Sequence, residues 1–421
     1  MTRPAEGGPE SGHVTIIGAG IVGICSALSL LEKGFSVELI DRDPPASGAS
    51  HGNAGVISPW SCIPQSMPGI WRSVPKWLLD PEGPIALRWS YLPQFLPWAM
   101  RFIAAGNIRR LPAIADAMSA LNRPSVKLYR QHLRGTGHEA LIQNSLYVHV
   151  YRKAAAADLN QLAWRMRAER DVPFQLVNGG ELQEIEPVLS PEYKAAILIK
   201  SQARALDPGG VGMALAEKAR SMGAEFRRTC VNVLVQDGNG GWELQTDEGP
   251  LAADKVVLAA GAWSARLLRP LGRKVPLEAE RGYHLVLRNP GISINNSIMD
   301  TERKFAVSSM NSGVRCAGTA EFAGLDEPPD YRRAKVFKRL AKNLFPDINT
   351  KDTEEWMGIR PSLPDSLPCI GTVPGYSNLF TAFGHSHYGF SMAPATGRIV
   401  AGLVSGVPSN IDLAPYRIDR F

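Results

Sequence analysis

Glycines at positions 18, 20 and 23 and an aspartate at 41 are the residues whose spacing first implies chemistry. Gly18-Ala19-Gly20-Ile21-Val22-Gly23 reads G-x-G-x-x-G, and Asp41 follows at the distance, roughly twenty residues, that a dinucleotide fingerprint requires. In such a turn Gly18 permits the sharp exit from a strand. Gly20 lets backbone approach a pyrophosphate, and Gly23 lets a helix lie close on a sheet. A helix starting at Ile21 and Val22 offers phosphate its free N–H groups and a partial positive charge. Asp41 can accept hydrogen bonds from both ribose hydroxyls. Arg42 would suit a 2′-phosphate, but Asp41 would repel one, so the pattern favours FAD or NAD over NADP.

A bare glycine triplet is a weak signal; the flanking elements give it weight. Val14–Ile17 is an apolar strand, residues 21–33 carry a helical pattern that stops at Gly34, and Ser36–Ile40 is a second strand closed by Asp41. Together they form one βαβ unit, the start of a Rossmann-like α/β domain.

At 421 residues the chain is too long for one simple core. A hydrophobic content of 44% and a charged content of 20% describe a globular protein. The net charge of +6 suits an anionic substrate or membrane surface but is too dispersed for a nucleic-acid partner. Cys25, Cys62, Cys230, Cys316 and Cys369 form no C-x-x-C pair, which predicts reduced thiols in the cytoplasm without structural zinc. Residues 1–12 read as a flexible N-terminus without the apolar core of a signal peptide.

Residues 42–58 are turn-rich and small enough to wrap a ligand closely. Between 59 and 110 lie Trp60, Trp71, Trp77, Trp89 and Trp98, many prolines, and Arg72, Lys76, Arg88, Arg101, Arg109 and Arg110. Proline at that density argues against a long helix. A satellite core, a roof over a substrate pocket and a peripheral membrane face all fit this stretch. Helices are expected over 111–134, 153–170, 209–222, 335–345 and 394–404. Strands are expected over 145–151, 195–199, 224–235, 241–246 and 255–263, and in a run between 276 and 325 that suggests a second, mixed sheet.

Four separated segments resemble the D-amino-acid dehydrogenase branch of the D-amino-acid oxidase and glycine oxidase family. Ala49-Ser50-His51-Gly52-Asn53-Ala54-Gly55 is similar to its G-A-S-x-x-N-A-G segment, which runs along the FAD pyrophosphate towards the isoalloxazine. His51 is not in the W-H-A-A-G setting of covalently flavinylated relatives, so the resemblance implies non-covalent FAD; it makes His51 a catalytic and cofactor-binding candidate, with a loop histidine without chemistry as the alternative. Lys255–Trp263 is similar to a strand that returns to the FAD with Ala260, Gly261 and Trp263, and Val231 is grouped with it. The segment from Gly358 to Gly371 resembles G-x-R-P-x-x-P-D-x-x-P-x-I-G, in which the arginine, here Arg360, anchors the substrate carboxylate; an exposed salt-bridge arginine is the alternative. Tyr283, in an R-G-Y segment, is a second candidate for the carboxylate or a plain core tyrosine. Gly384-His385-Ser386-His387-Tyr388-Gly389-Phe390 resembles a G-H-x-x-x-G turn whose following helix points at the flavin pyrimidine. The two histidines lack a third ligand nearby, so no metal is expected.

The resemblance implies a Rossmann-like FAD-binding domain of the two-dinucleotide-binding type, assembled from 13–90, 195–275 and 352–415. An α+β substrate domain with a mixed sheet would come from 91–194 and 276–351. It implies an enzyme that oxidatively deaminates a D-amino acid, giving an imine and then a 2-oxo acid, with electrons passed to a quinone or other acceptor. A secondary amino acid such as D-hydroxyproline, D-proline or a sarcosine-like compound is an alternative substrate. An O2-using oxidase and a flavin-binding subunit of a larger dehydrogenase remain alternative forms.

Overall fold

The glycine-rich turn leaves the centre of a six-stranded sheet. A computed structural model describes residues 12–421; the expected flexible terminus lies, apart from Gly12, outside the described residues. The strands run in the order Cys369–Thr372, Leu379–Phe383, Lys255–Leu258, His13–Ile17, Ser36–Asp41 and Glu225–Arg228. Ile17 pairs in parallel with both Leu258 and Ile40, so three strand ends lie side by side. In such sheets ligands bind at those carboxyl ends. Val14, Ile16, Leu39 and Val257 are fully buried because both faces of the sheet are covered.

The helix Ile21–Leu31 and the final helix Gly389–Val404 share one core with this sheet. The final helix begins five residues before the expected Pro394. Proline there removes the N–H that would bond Phe390 O, and the Tyr129 hydroxyl donates to that carbonyl instead at 2.6 Å. Residues 111–134 form two helices, Leu111–Asn122 and Ser125–Leu133, broken at Pro124, and only Leu162–Ala168 of 153–170 is α-helical. Proline also misleads in the other direction. Leu92–Ala105 is a helix of 14 residues despite Pro93 and Pro97. Pro93 falls in the first turn, where no intrahelical donor is lost. Trp98 fixes the next turn by stacking with Phe95 and Phe102 and donating to Ser362 O at 3.1 Å.

The second large sheet has ten strands. Its main path runs Thr353–Ser362, Glu278–Leu287, Gly313–Phe322, Phe305–Met310, Ser297–Asp300, Ile142–Tyr151, Ala195–Ala205 and Val56–Ile57. Ala195–Ala205, Val56–Ile57 and Thr353–Ser362, grouped from sequence with the cofactor-binding segments, therefore pair in this sheet. Strand character was readable at 195–199, but the choice of partner is long-range and leaves no local mark. Val231–Gln236, Trp242–Thr246 and Gly249–Ala253 form a separate antiparallel sheet.

Candidate active site

One cavity of about 1700 Å³ runs from the ends of the parallel strands to the ten-stranded sheet. It exceeds the roughly 300–1,000 Å³ of an ordinary small-molecule site, so it has room for a large cofactor and a substrate together.

At the parallel-sheet end, Gly18, Gly20, Ile21 and Val22 line the cavity. Gly18 has φ +111°, and a Cβ there would lie 2.4 Å from Ala259 O. Gly23 does not line the cavity; it lies under the turn, where a Cβ would sit 1.9 Å from Gly18 O. The helix at Ile21 has no side-chain N-cap, and Ser50 Oγ accepts from Ile21 N at 2.9 Å. Asp41 closes its strand and accepts from Ala19 N at 2.7 Å and Asp43 N at 3.0 Å. Burial raises its carboxyl above the ordinary range while those N–H groups act in the opposite sense. The Arg42 guanidinium lies 3.9 Å over the Trp263 ring, and Val231, Ala260 and Gly261 border the same space. Small backbone, an open helix terminus, an acid and a cation–aromatic stack fit a dinucleotide without a residue in the way.

The loop 49–55 is held from the ten-stranded sheet. Buried Arg315 donates through Nη1 to His51 O at 3.0 Å and Asn53 O at 2.8 Å; burial lowers its guanidinium to about 10. His284 Nδ1 meets Gly52 O at 3.1 Å, and its ring stacks on Trp356. Ala49, Ser50, Asn53 and Ala54 line the cavity, and Gly55 is turned under it towards Ala205. The His51 ring does not line the cavity. It faces Gly209 and Trp356, because its own carbonyl is the group Arg315 holds inward, so the catalytic role expected of it is not supported by its position.

Arg360 is brought to the other end. Its strand pairs with Glu278–Leu287 so that Arg360 is opposite Glu280 and Gly358 opposite Gly282. Gly282 leaves room for the guanidinium: a Cβ there would be 2.1 Å from Nη2. Nη1 donates to Glu280 Oε1 at 2.8 Å and Thr319 O at 3.1 Å, and Nη2 makes a long contact to Gly318 O at 3.4 Å. Of five guanidinium N–H groups, Nε–H and one on Nη2 remain, the edge that can grip a carboxylate with two bonds. Arg360 is thus neither free nor an exposed surface pair. Glu280 is buried, accepts from Ser362 Oγ at 2.7 Å and is in close contact with His387 Nε2. Burial would raise its carboxyl, but His387, Arg360 and Ser362 together hold it down to about 2. His387 retains open surface and lines the cavity.

Tyr283 alternates to the opposite strand face. Its hydroxyl donates to Glu321 at 2.6 Å and accepts from Asp330 N, so it is not free to grip a carboxylate as expected. Around the final helix, His385, Ser386, Tyr388, Gly389 and Phe390 line the cavity, whereas Gly384, at φ +84°, packs on Leu363. His385 is buried on Thr396 Oγ1 and lowered to about 3 by that burial. Gly358 lies under the Trp356 ring. Trp71, Trp77, Phe95, Trp98 and Phe102 cover the cavity, while Trp60 packs in a satellite cluster with buried Cys62. Sequence reasoning missed Glu280, His387 and the space at Gly282. Their signal is pairwise, a glycine and an acid facing one arginine across a strand pair, and only the register shows it.

The chain matches the family described as DAO, FAD dependent oxidoreductase, over residues 13–403. It is 40% identical over 420 residues to the D-amino-acid oxidase of Bradyrhizobium diazoefficiens, covering 98% of this chain and 100% of the relative. Over 423 residues it is 34% identical to the D-amino acid dehydrogenase of Paramagnetospirillum magneticum, covering 97% of this chain and 98% of that one. In fold it is similar to glycine oxidase from Geobacillus kaustophilus, with a TM-score of 0.73 at 23% identity, covering 97% of this chain and 98% of the other. The L-proline dehydrogenase of P. horikoshii aligns with a TM-score of 0.73 at 21% identity over 98% of both chains. The chain belongs to the DAO family of FAD dependent oxidoreductases, and FAD is its cofactor.

Proposed function

We propose that this flavoprotein oxidises the α-carbon–nitrogen bond of a D-amino acid to an imine, which water converts to a 2-oxo acid. The observation that carries the proposal is the free two-donor edge of Arg360 inside the cavity. FAD, when bound, supplies the acceptor for the hydride. It would be held by Gly18, Gly20, Asp41, the loop 49–55 and the start of the final helix.

The chain's own residues supply orientation, charge and a place for a proton. Arg360 fixes the carboxylate and thereby the direction of the α-carbon. Glu280 is a positioning residue: it engages Nη1 and leaves the Nε–Nη2 edge for substrate. It also faces Nε2 of His387, which leaves Nδ1 to accept a proton from the substrate ammonium. The aromatic cover excludes water from the reacting carbon.

The electron acceptor is proposed to be a quinone reached at a membrane surface. Trp71, Leu79, Trp89, Met100, Ile103 and Ile108 are exposed beside Arg72, Lys76, Arg101 and Arg109. That mixture suits the face of an anionic bilayer. No helix among the described residues is long and apolar enough to cross a membrane.

Anaerobic mixing with each enantiomer of a panel of amino acids tests the function. D-Enantiomers should bleach the flavin and admission of O2 should restore it slowly. Bleaching by L-enantiomers alone would overturn the assignment, and rapid reoxidation would favour an oxidase.

A further inference from the structure

The loop 49–55 turns its peptide dipoles one way. His51 O and Asn53 O accept from Arg315 Nη1 at 3.0 and 2.8 Å, and Gly52 O, between them, accepts from His284 Nδ1 at 3.1 Å. Three consecutive carbonyls thus point at side chains of the ten-stranded sheet. Gly52, Asn53 and Ala54 line the cavity, whereas Arg315 and His284 lie behind them. The N–H groups of His51 and Asn53 close turns on Gly48 O and Ser50 O. Those of Gly52 and Ala54 have no acceptor among the described residues. With the carbonyls drawn back, the loop offers the cavity the positive side of its peptide groups.

The two side chains that hold it differ in charge. His284 acts as a neutral group, because burial first and Arg315 next hold its imidazole down to about 3. A neutral donor is therefore enough to fix a carbonyl of this loop. Arg315, on the strand Gly313–Phe322, is a cation, 5% exposed, with its Nε enclosed and without an acceptor. It forms no ion pair among the described residues, and Asp207 and Glu354 act on it only from a distance. Arg360, on the same sheet, has Glu280 at 2.8 Å. A buried charge without a counter-charge is costly. The fold bears that cost at a position where hydrogen bonding alone needs no charge.

Hydride brings two electrons and one proton, so a flavin that accepts it carries one more negative charge than before. We infer that Arg315 is a positioning residue for the cofactor: acting through the carbonyls of His51 and Asn53, its fixed positive charge favours the reduced flavin over the oxidised one. Oriented backbone and a cation then stabilise charge where it develops. The inference rests on the proposed place of the loop 49–55 against FAD, and not on which amino acid is oxidised.

Anaerobic equilibration of the holoenzyme with a reference dye reads the flavin potential without any amino acid. A unit charge acting across about 10 Å at an effective dielectric of about 20 shifts such an equilibrium by roughly tenfold or more. Arg315→Gln should therefore move it at least about tenfold towards oxidised flavin, which is about 30 mV for a two-electron couple. Arg315→Lys keeps the charge and loses the paired bonds, so it should stay within about threefold of the parent. An unchanged equilibrium in Arg315→Gln with flavin bound, or equal shifts in both variants, would overturn the inference, since a residue that only holds the loop would not distinguish glutamine from lysine. If Arg315→Gln does not retain flavin, Ser308→Asp takes its place. It leaves the guanidinium on its carbonyls and sets a carboxylate opposite Arg315 across the strand pair. The equilibrium should again move about tenfold towards oxidised flavin, and a parent value would overturn the inference. Bleaching by D-amino acids together with an unaltered Arg315→Gln potential would sink this inference alone and leave the proposed function standing.

Discussion

Adding one methyl group at Gly282 isolates the role of Arg360 without touching Arg360 itself. A Cβ at 282 would stand 2.1 Å from Nη2, 2.2 Å from Cζ and 2.6 Å from Nη1 of Arg360. Non-bonded atoms settle at about 3.5 Å, so the guanidinium must withdraw by more than about 1 Å. The clashing atoms are the far end of a flexible side chain, and Gly282 is on an extended strand without a positive φ. The backbone should therefore accept alanine and the fold should survive. Glu280 would keep Ser362 and His387 as partners after Arg360 withdraws. A misplacement of this size costs roughly 100-fold in kcat/KM, or about 2.7 kcal/mol. Gly282→Ala should show that loss with a D-amino acid and a dye acceptor, chiefly in KM, while its ratio of flavin to protein absorbance stays at the parent value. A kcat/KM within about threefold of the parent, flavin still bound, would refute the assignment of Arg360 as carboxylate anchor.

Two further expectations follow from buried charge. Asp41→Ala should weaken FAD retention by roughly 10–100-fold in Kd, the value of one or two hydrogen bonds to a charged group, and equilibrium dialysis would expose a contrary result as full occupancy. Acid should destabilise the fold through its buried histidines. Burial holds His284 and His385 at about 3 and His132 at about 4, all below the unfolded value near 6.5. The unfolded chain therefore binds these protons first, and stability present above pH 6.5 is lost as pH falls from there towards 4. Each contributes a slope approaching about 1.4 kcal/mol per pH unit, which urea unfolding at pH 7 and pH 5 would measure. Glu280, at about 2 against about 4.5 unfolded, adds a loss in the same direction only at lower pH.

The N-terminal βαβ unit was legible because every signal in it is local: a strand, three glycines, a helix and an acid at fixed offsets. The final helix was legible as an element but not in its start, since the donor that substitutes for the missing N–H of Pro394 is Tyr129, far away in sequence. Arg360 was legible through its resemblance to a family segment. Its partners were not, because Glu280 and Gly282 meet it only through the pairing of two strands some eighty residues apart. His51 and Tyr283 show the converse. Both are chemically competent in sequence, yet one ring faces Trp356 and the other side chain alternates to the opposite face.

The central claim is that Arg360 fixes the substrate carboxylate beside the cofactor. Anaerobic titration of Arg360→Ala with a D-amino acid, followed through the flavin band, tests it most directly. The variant should remain yellow and require roughly 100-fold or more substrate for half-bleaching, as expected for loss of a two-bond ion pair. Half-bleaching at the parent concentration, with flavin fully bound, would contradict it.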